Sequence, residues 1–375
     1  MINNDLIRRN TLDLLRFPLA IVVLSIHIFS SQGITIQGNE YSFEKFPIFL
    51  FFNYILDAFL RGQSVPIYFF ISGYVFFLNT DFSFSIYKNK LHNRFKSLFI
   101  PYILWNIIYL MFLLSLRFIF SSHFPSLNEA NIDFSFNAIF NTFWTNNNGI
   151  IQYNTSLASS YSPINIPLWF LRDLMIIVII TPIIFKYIKW TNKYGILLLG
   201  ITWFVGSYYP LGHINLILTA LFFFSIGAYM SIFNKNMIVE FRKYFKISII
   251  LYLSISIIHI FSAYYIPSAL HTLKNINIII GMVFAYNFAS WLIETKKIKL
   301  SKFLVSSSFF IYVSHGIICL LVIKSLIVLF KPEHDISLFI TYGGSVILVT
   351  LSLLGVYYLM KKYTPRLLGI LVGRK

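Results

Sequence analysis

Residues 11–29 read TLDLLRFPLAIVVLSIHIF. From Phe17 to Phe29 the stretch is apolar except for Ser25 and His27, and with its flank it approaches the roughly 20 residues that cross a bilayer core as a helix. Arg8 and Arg9 precede it, as in a secretory leader. No small-residue cleavage site follows, however, and Asp13 and Arg16 fall inside the apolar region, so the segment is read as a retained first helix.

Ile67–Leu78 and Leu338–Met360 are comparable runs. Of the 375 residues 57% are hydrophobic and 11% charged, whereas soluble domains carry about 25% charged residues. Such a chain lacks the polar surface to face water all round. Short alternating segments, the mark of a membrane β-barrel, are absent. The fold class is therefore an all-α polytopic membrane protein. Spans read at 14–31, 65–80, 98–120, 167–185, 194–210, 214–233, 247–266, 276–293, 303–329 and 337–360 give about ten transmembrane helices.

The net charge of +17 sorts onto one side of these spans. About 22 of the 30 Lys and Arg lie in the N-terminus, the loops 81–97, 186–193, 234–246 and 294–302, and the C-terminal tail. Lys45, Arg61, Lys274 and Lys331 are those in the opposite loops. Basic residues concentrate on the cytoplasmic side, so both termini are expected in the cytoplasm, and the basic charge marks topology rather than a nucleic-acid partner. The one cysteine, Cys319, sits mid-span and reads as a small packing residue; no Cys/His cluster has zinc spacing, so no metal is expected.

Two outer segments stand apart. Phe46–Leu60 is apolar and aromatic but carries Asp57, with Arg61 one helical turn later, and fits either an interfacial helix or a further span. Residues 121–166 form a long loop rich in Asn and Ser with Glu129 and Asp133 and no Lys or Arg, long enough to cover a site from outside. No internal repeat is found. Residues 1–375 read as a single membrane domain with no soluble domain after the last helix.

Ionisable groups within a bilayer are costly and mark candidate sites. Here they are Asp13, Arg16, His27, Arg117, Arg172, Asp173, His259, His315 and Lys324. Arg117 and Lys324 lie near the outer ends of their spans and are expected to snorkel to the headgroups; His259 stands alone and reads as a packing residue. Arg16 and His27 are eleven positions apart, which makes three helical turns plus about 20°, so both project from one stripe about 16 Å apart. Asp13, three positions before Arg16, is close enough to pair with it.

These first-helix residues resemble the signature of the acyltransferase-3 family of integral membrane O-acyltransferases. The resemblance continues, in order, through VPIYFFISGYVFFL (65–78), NRFKSLFIPYILWN (93–106), PLWFLRDL (167–174), FFFSIGAYM (222–230) and SSSFFIYVSHGI (306–317). There are two departures. The family's basic loop often reads Arg-x-x-Arg, whereas here Ser97 stands three after Arg94, with Lys90 and Lys96 as substitute charges. The C-terminal hydrolase-like domain of many members is also missing, as in the stand-alone branch.

The resemblance implies acetyl-CoA or another acyl-CoA as cytosolic donor, with no metal, and a hydroxyl of a surface glycan or its lipid-linked precursor as acceptor. It also implies residence in the bacterial cytoplasmic (inner) membrane. The acyl group is acetyl or succinyl. Arg16, Arg94, Lys96 and Lys90 are placed by topology to meet the donor's phosphates, a task suited to the planar fork of arginine. His27 is the candidate base or transient acyl carrier, with Arg16 and Asp13 beside it.

Arg172 and Asp173 are neighbours whose side chains leave a helix about 100° apart, so each is expected to find its partner on another helix. His315, preceded by Ser314, is either a site residue or a packing histidine. Tyr74, Asn106 and Trp169 are candidate lining residues, and the glycines of ISGYVFF and SIGAYM fit close helix contact. Two other functions fit in outline. One is a transporter or exporter of a polysaccharide intermediate, against which the lack of paired repeats counts; the other is a polytopic glycosyltransferase using Glu129 and Asp133.

Overall fold

A computed structural model describes residues 4–28, 34–36, 39–41, 45–79, 82–119, 125–152 and 161–374. The first half of the chain forms α1 (Asn4–Ile28), a short hairpin of β1 (Ile34–Ile36) and β2 (Asn39–Tyr41), α2 (Pro47–Leu56) and α3 (Gly62–Phe77). There follow α4 (Phe84–Arg94), α5 (Ile100–Ile119), α6 (Pro125–Asn128), β3 (Asn131–Ile132), α7 (Phe136–Trp144), β4 (Ile151–Gln152) and α8 (Trp169–Ile179). The second half is helical: α9 (Thr181–Gly206), α10 (His213–Ile232), α11 (Met237–Arg242), α12 (Phe245–Tyr265) and α13 (Leu270–Glu294). It closes with α14 (Lys302–Phe330), α15 (Asp335–Tyr363) and α16 (Pro365–Leu371).

Seven described helical segments are long and apolar enough to cross a bilayer. The pair Ile166–Ile179 and Thr181–Gly206, bent by 64°, makes an eighth if counted as one span. The expected ten is thus not reached by length and composition. One reason is visible in α9, whose path breaks at Asn192 (φ 55°, ψ −137°). The 16-residue α3 is another: it is too short to qualify by itself. Isoleucines and leucines such as Ile201, Leu197, Ile250, Ile347 and Leu351 are exposed, as lipid-facing residues must be. Trp190 and Tyr194 flank the break at Asn192 and are exposed beside Lys189 and Lys193, the aromatic and basic pairing of a membrane interface.

Helix α1 packs against α3, α13, α14 and α15 and buries Leu15, Leu19, Val23 and Leu24. Phe46–Leu60 resolves into the outer part of the helix that continues into α3. A π turn at Asp57–Arg61 joins α2 to α3. A π turn frees carbonyls from the helical ladder. That of Ala58 accepts hydrogen bonds from Asn277 Nδ2 (2.5 Å), Gln63 Nε2 (3.3 Å) and Ser256 Oγ (3.4 Å), which ties α12 and α13 to this helix.

The closest helix crossing is α3 on α10. A Cβ on Gly73 would lie 2.0 Å from the Phe224 carbonyl oxygen, and one on Gly227 would lie 2.1 Å from that of Phe70. In lipid, helices gain stability by such close backbone packing rather than by expelling water.

The 121–166 segment, of which 121–124 and 153–160 lie outside the described residues, folds down alongside α5. Arg117 Nη1 donates to the Ala130 carbonyl at 2.5 Å, so Arg117 holds this segment instead of reaching for headgroups as expected. Fifteen residues earlier on α5, the Tyr102 hydroxyl donates to the Phe143 carbonyl. Leu110, Leu113 and Leu116 of α5 bury Leu127, Ile150, Ile151 and Ile164 in a small apolar core of their own.

Candidate active site

Helix α1 runs unbroken from Asn4 to Ile28, so the stripe read from the sequence exists in three dimensions. Arg16 Nη1 lies 3.0 Å from Asp13 Oδ1, and the Tyr68 hydroxyl donates to the Arg16 carbonyl at 2.7 Å, fixing α3 beside it. Three turns on, the His27 ring meets the His315 ring of α14 with centroids 5.3 Å apart and planes at 38°.

His315 is fully buried. Its Nδ1–H donates to the Ile311 carbonyl at 3.1 Å. A carbonyl can only accept, so the proton of the neutral ring sits on Nδ1 and Nε2 is left as an acceptor. Nε2 is buried and has no partner among the described residues. The segment before α8 reaches the same turn of α14. Asn165 Nδ2 donates to the Val313 carbonyl at 3.2 Å, and Asn165 N–H donates to Asn106 Oδ1, also at 3.2 Å. Asn165 Oδ1 is a second buried acceptor without a partner among the described residues. Nothing in the sequence singled out Asn165, which stands in a polar stretch among many asparagines.

At the other end of the stripe lie two cavities that share Val75 as a lining residue. One, of about 420 Å³, is lined by Lys90, Arg94 and Lys96 together with Asn93, Ser97 and Gly373. The other, of about 530 Å³, is lined by Arg16, Asp13, Asp5, Arg8 and Arg9. The four cations expected to face a phosphorylated donor thus line two adjacent pockets. Arg8 and Arg9, read from the sequence only as topology signals, join them. Arg8 is held by Asp5 at 3.0 Å and donates to the Tyr74 hydroxyl at 3.4 Å.

Arg172 and Asp173 depart from expectation. Arg172 Nε donates to Asp173 Oδ1 at 2.8 Å, so the two neighbours pair directly. Both lie early in α8, which follows directly on a 3-10 turn at Ile166–Leu168, and the long arginine side chain folds across to the adjacent carboxylate. They also have partners elsewhere. His213 Nε2, at the start of α10, lies 2.9 Å from Asp173 Oδ1 and 2.5 Å from Arg172 Nη2. Arg172 Nη1 donates to the Tyr161 carbonyl at 2.8 Å and to the Trp144 carbonyl. The buried ion pair therefore holds the 121–166 segment at Trp144 and at Tyr161. His213 was missed because the span limits placed it in an outer loop.

Tyr74 and Trp169 both stand among packing partners, Tyr74 also accepting from Arg8 of the cleft. Tyr74 is buried, with its hydroxyl also donating to the Lys235 carbonyl at 3.4 Å, and Trp169 stands with its ring 6.5 Å from that of Phe69. Asn106 acts through Asn165 as described, and its own Nδ2 donates to the Tyr102 carbonyl at 2.8 Å. Cys319 is buried and unpaired by any disulfide.

The arrangement combines an imidazole pair at one end of α1, His315 buried and His27 half-buried, with a cationic cleft at the other. The family model described as an acyltransferase domain, that of the acyltransferase-3 family, matches residues 9–359. No curated protein and no solved structure matches the chain. Since the match takes in α1 to α15 almost entire, with the imidazole pair and all of the cationic cleft but its N-terminal and C-terminal edges, the chain belongs to the acyltransferase-3 family of membrane acyltransferases.

Proposed function

We propose that this protein transfers an acetyl group from cytosolic acetyl-CoA to a hydroxyl of a surface glycan or its lipid-linked precursor, in the cytoplasmic membrane of a bacterium. One relationship carries the reading. A pair of half-buried His27 and buried His315 stands three turns along α1 from Arg16, whose cavity adjoins the one lined by Lys90, Arg94 and Lys96. The donor's phosphates bind the cationic end, where charge-assisted hydrogen bonds from arginine and lysine are strongest. Its pantetheine arm then extends along α1 towards His27.

In this scheme His27 accepts the proton of the acceptor hydroxyl as that oxygen bonds to the thioester carbonyl carbon. The C–S bond breaks, and the CoA thiolate leaves and takes the same proton back from His27. Thioester and alcohol become ester and thiol, with no other reactant needed. His315, locked as the Nδ1–H form by Ile311, supports the imidazolium that forms at His27 through its free Nε2. Asp13 orients Arg16, and the Arg172–Asp173–His213 cluster holds the covering segment over the site.

The test is transfer from radiolabelled acetyl-CoA to a de-O-acetylated acceptor glycan by the purified protein in lipid vesicles. His27→Ala is expected to lower kcat by about 10²–10⁴-fold. Arg94→Gln is expected to raise KM for acetyl-CoA about tenfold at nearly constant kcat, the loss of one charged hydrogen bond. Full transfer by the His27 variant would remove that residue from the mechanism.

A further inference from the structure

The family match ends at residue 359, yet the chain continues and turns back onto the bundle. Helix α16 and the residues after it are anchored at several points. Leu368, Leu371 and Val372 are buried. Trp105 Nε1 of α5 donates to the Leu371 carbonyl at 3.0 Å. Arg374 Nη2 donates to the Ser306 carbonyl of α14 at 2.9 Å, and its Nη1 donates to the Tyr357 hydroxyl of α15 at 3.4 Å.

Between these anchors lies Gly373, with φ at +63°, where residues bearing a Cβ are strained. It also lies against the basic stretch, expected as a loop but instead helical, with a π turn at Phe95–Phe99 joining α4 to α5. A Cβ at this position would stand 2.4 Å from Ser97 Cα and 2.6 Å from the Ser97 carbonyl oxygen. Both obstacles are backbone, so no rotamer change relieves the clash. Gly373 lines the 420 Å³ cavity together with Lys90, Arg94 and Lys96.

We infer that the C-terminal tail is a wall of the acyl-donor pocket and that Gly373 is a donor-binding residue, its bare backbone setting the width of the space that receives the phosphates of acyl-CoA. This rests on the donor reading given above. A side chain at 373 pushes Ser97 and, with it, the π turn Phe95–Phe99 that carries Lys96 and follows Arg94 at the end of α4. The donor site of this chain is then completed by a segment outside the residues that the family shares.

Gly373→Ala is expected to raise KM for acetyl-CoA about tenfold, with kcat and the KM of the acceptor changed less than about twofold, since the contact serves donor binding alone. Gly369→Ala is the matched control, because its Cβ would meet only the Arg374 carbonyl oxygen, at an ordinary 3.5 Å. Its KM should equal that of the wild type. A second measurement needs no variant. The wild-type protein is irradiated with a photoreactive aryl-azide derivative of CoA, and the labelled peptides are mapped by mass spectrometry.

Labelling of the peptide that contains Gly373, competed by free CoA, is the expected result. If the wild type binds CoA but the label maps only to other segments, the tail inference is overturned and the donor reading stands. A wild-type KM in Gly373→Ala overturns the tail inference in the same way. If the wild type neither binds CoA nor transfers from acetyl-CoA, both are overturned together.

Discussion

His27 at the end of α1 and His315 in the middle of α14 stand 288 positions apart in the chain, and their rings lie 5.3 Å apart. On this contact we propose the site reading of the two that the sequence leaves equal for His315. Nε2 of His315 is buried without a partner among the described residues, beside the ring of His27. A buried acceptor left unpaired costs about 1–3 kcal/mol, which is tolerable where a ligand or a reaction intermediate supplies the missing donor.

His315→Gln retains a polar side chain of similar reach but loses the ring held by the Ile311 carbonyl. It is expected to lower kcat by about 10–100-fold, less than the loss of a general base, with KM for acetyl-CoA unchanged. Steady-state kinetics in vesicles measures it. Unchanged kcat would return His315 to a packing role.

The α3–α10 crossing predicts where bulk is not tolerated. Gly73→Val places a side chain against the Phe224 backbone, which cannot yield unless the helices part. A loss of at least about 3 kcal/mol is expected, the upper range for overpacking. Gly343→Ala in α15 is the contrast. A Cβ there meets nothing within 4 Å, so stability should hold or rise by up to about 1 kcal/mol through helix propensity. Thermal unfolding in detergent micelles compares the two.

Arg172→Met leaves the buried Asp173 carboxylate with His213 as its side-chain partner, and removing one partner of a buried pair costs about 3–5 kcal/mol. The double variant Arg172→Met, Asp173→Leu should recover part of that stability, since no uncompensated charge remains. In both, the carbonyls of Trp144 and Tyr161 lose their donor, so proteolysis within 145–161 should accelerate even where stability is regained. Limited proteolysis alongside thermal unfolding separates the two effects.

Much of the architecture was legible beforehand because its causes are local. Lipid forbids unpaired backbone groups, so an apolar run long enough to span becomes a helix, and Arg16 and His27 share a face by helical pitch alone. Asp13 pairs with Arg16 for the same reason, three residues being one turn. The close approach of Gly73 and Gly227 was foreseeable from two small residues in apolar helices, though not which helix each would meet.

What stayed hidden depends on contacts between distant segments or on departures from regular helix. The Arg172–Asp173 pair defied the rule for helix neighbours because the long arginine side chain folds across to the adjacent carboxylate, with His213 brought in from another helix. Phe46–Leu60 could not be assigned because a π turn, which has no periodicity of its own, makes it one helix with α3. Arg117 looked like a snorkelling residue because the segment that supplies its partner carbonyl folds back only in three dimensions.

The opening stretch, TLDLLRFPLAIVVLSIHIF, shows the division most clearly. The sequence alone determined a membrane helix with Arg16 and His27 on one stripe, since pitch and hydropathy act within a few turns. Only the tertiary structure decided what faces the two ends of that stripe: His315 at one, and at the other two adjoining cationic cavities, one of them closed by Gly373. Those neighbours come from α14, α4 and the tail, and in lipid their docking is set by backbone fit and hydrogen bonding between helices, which no local pattern encodes.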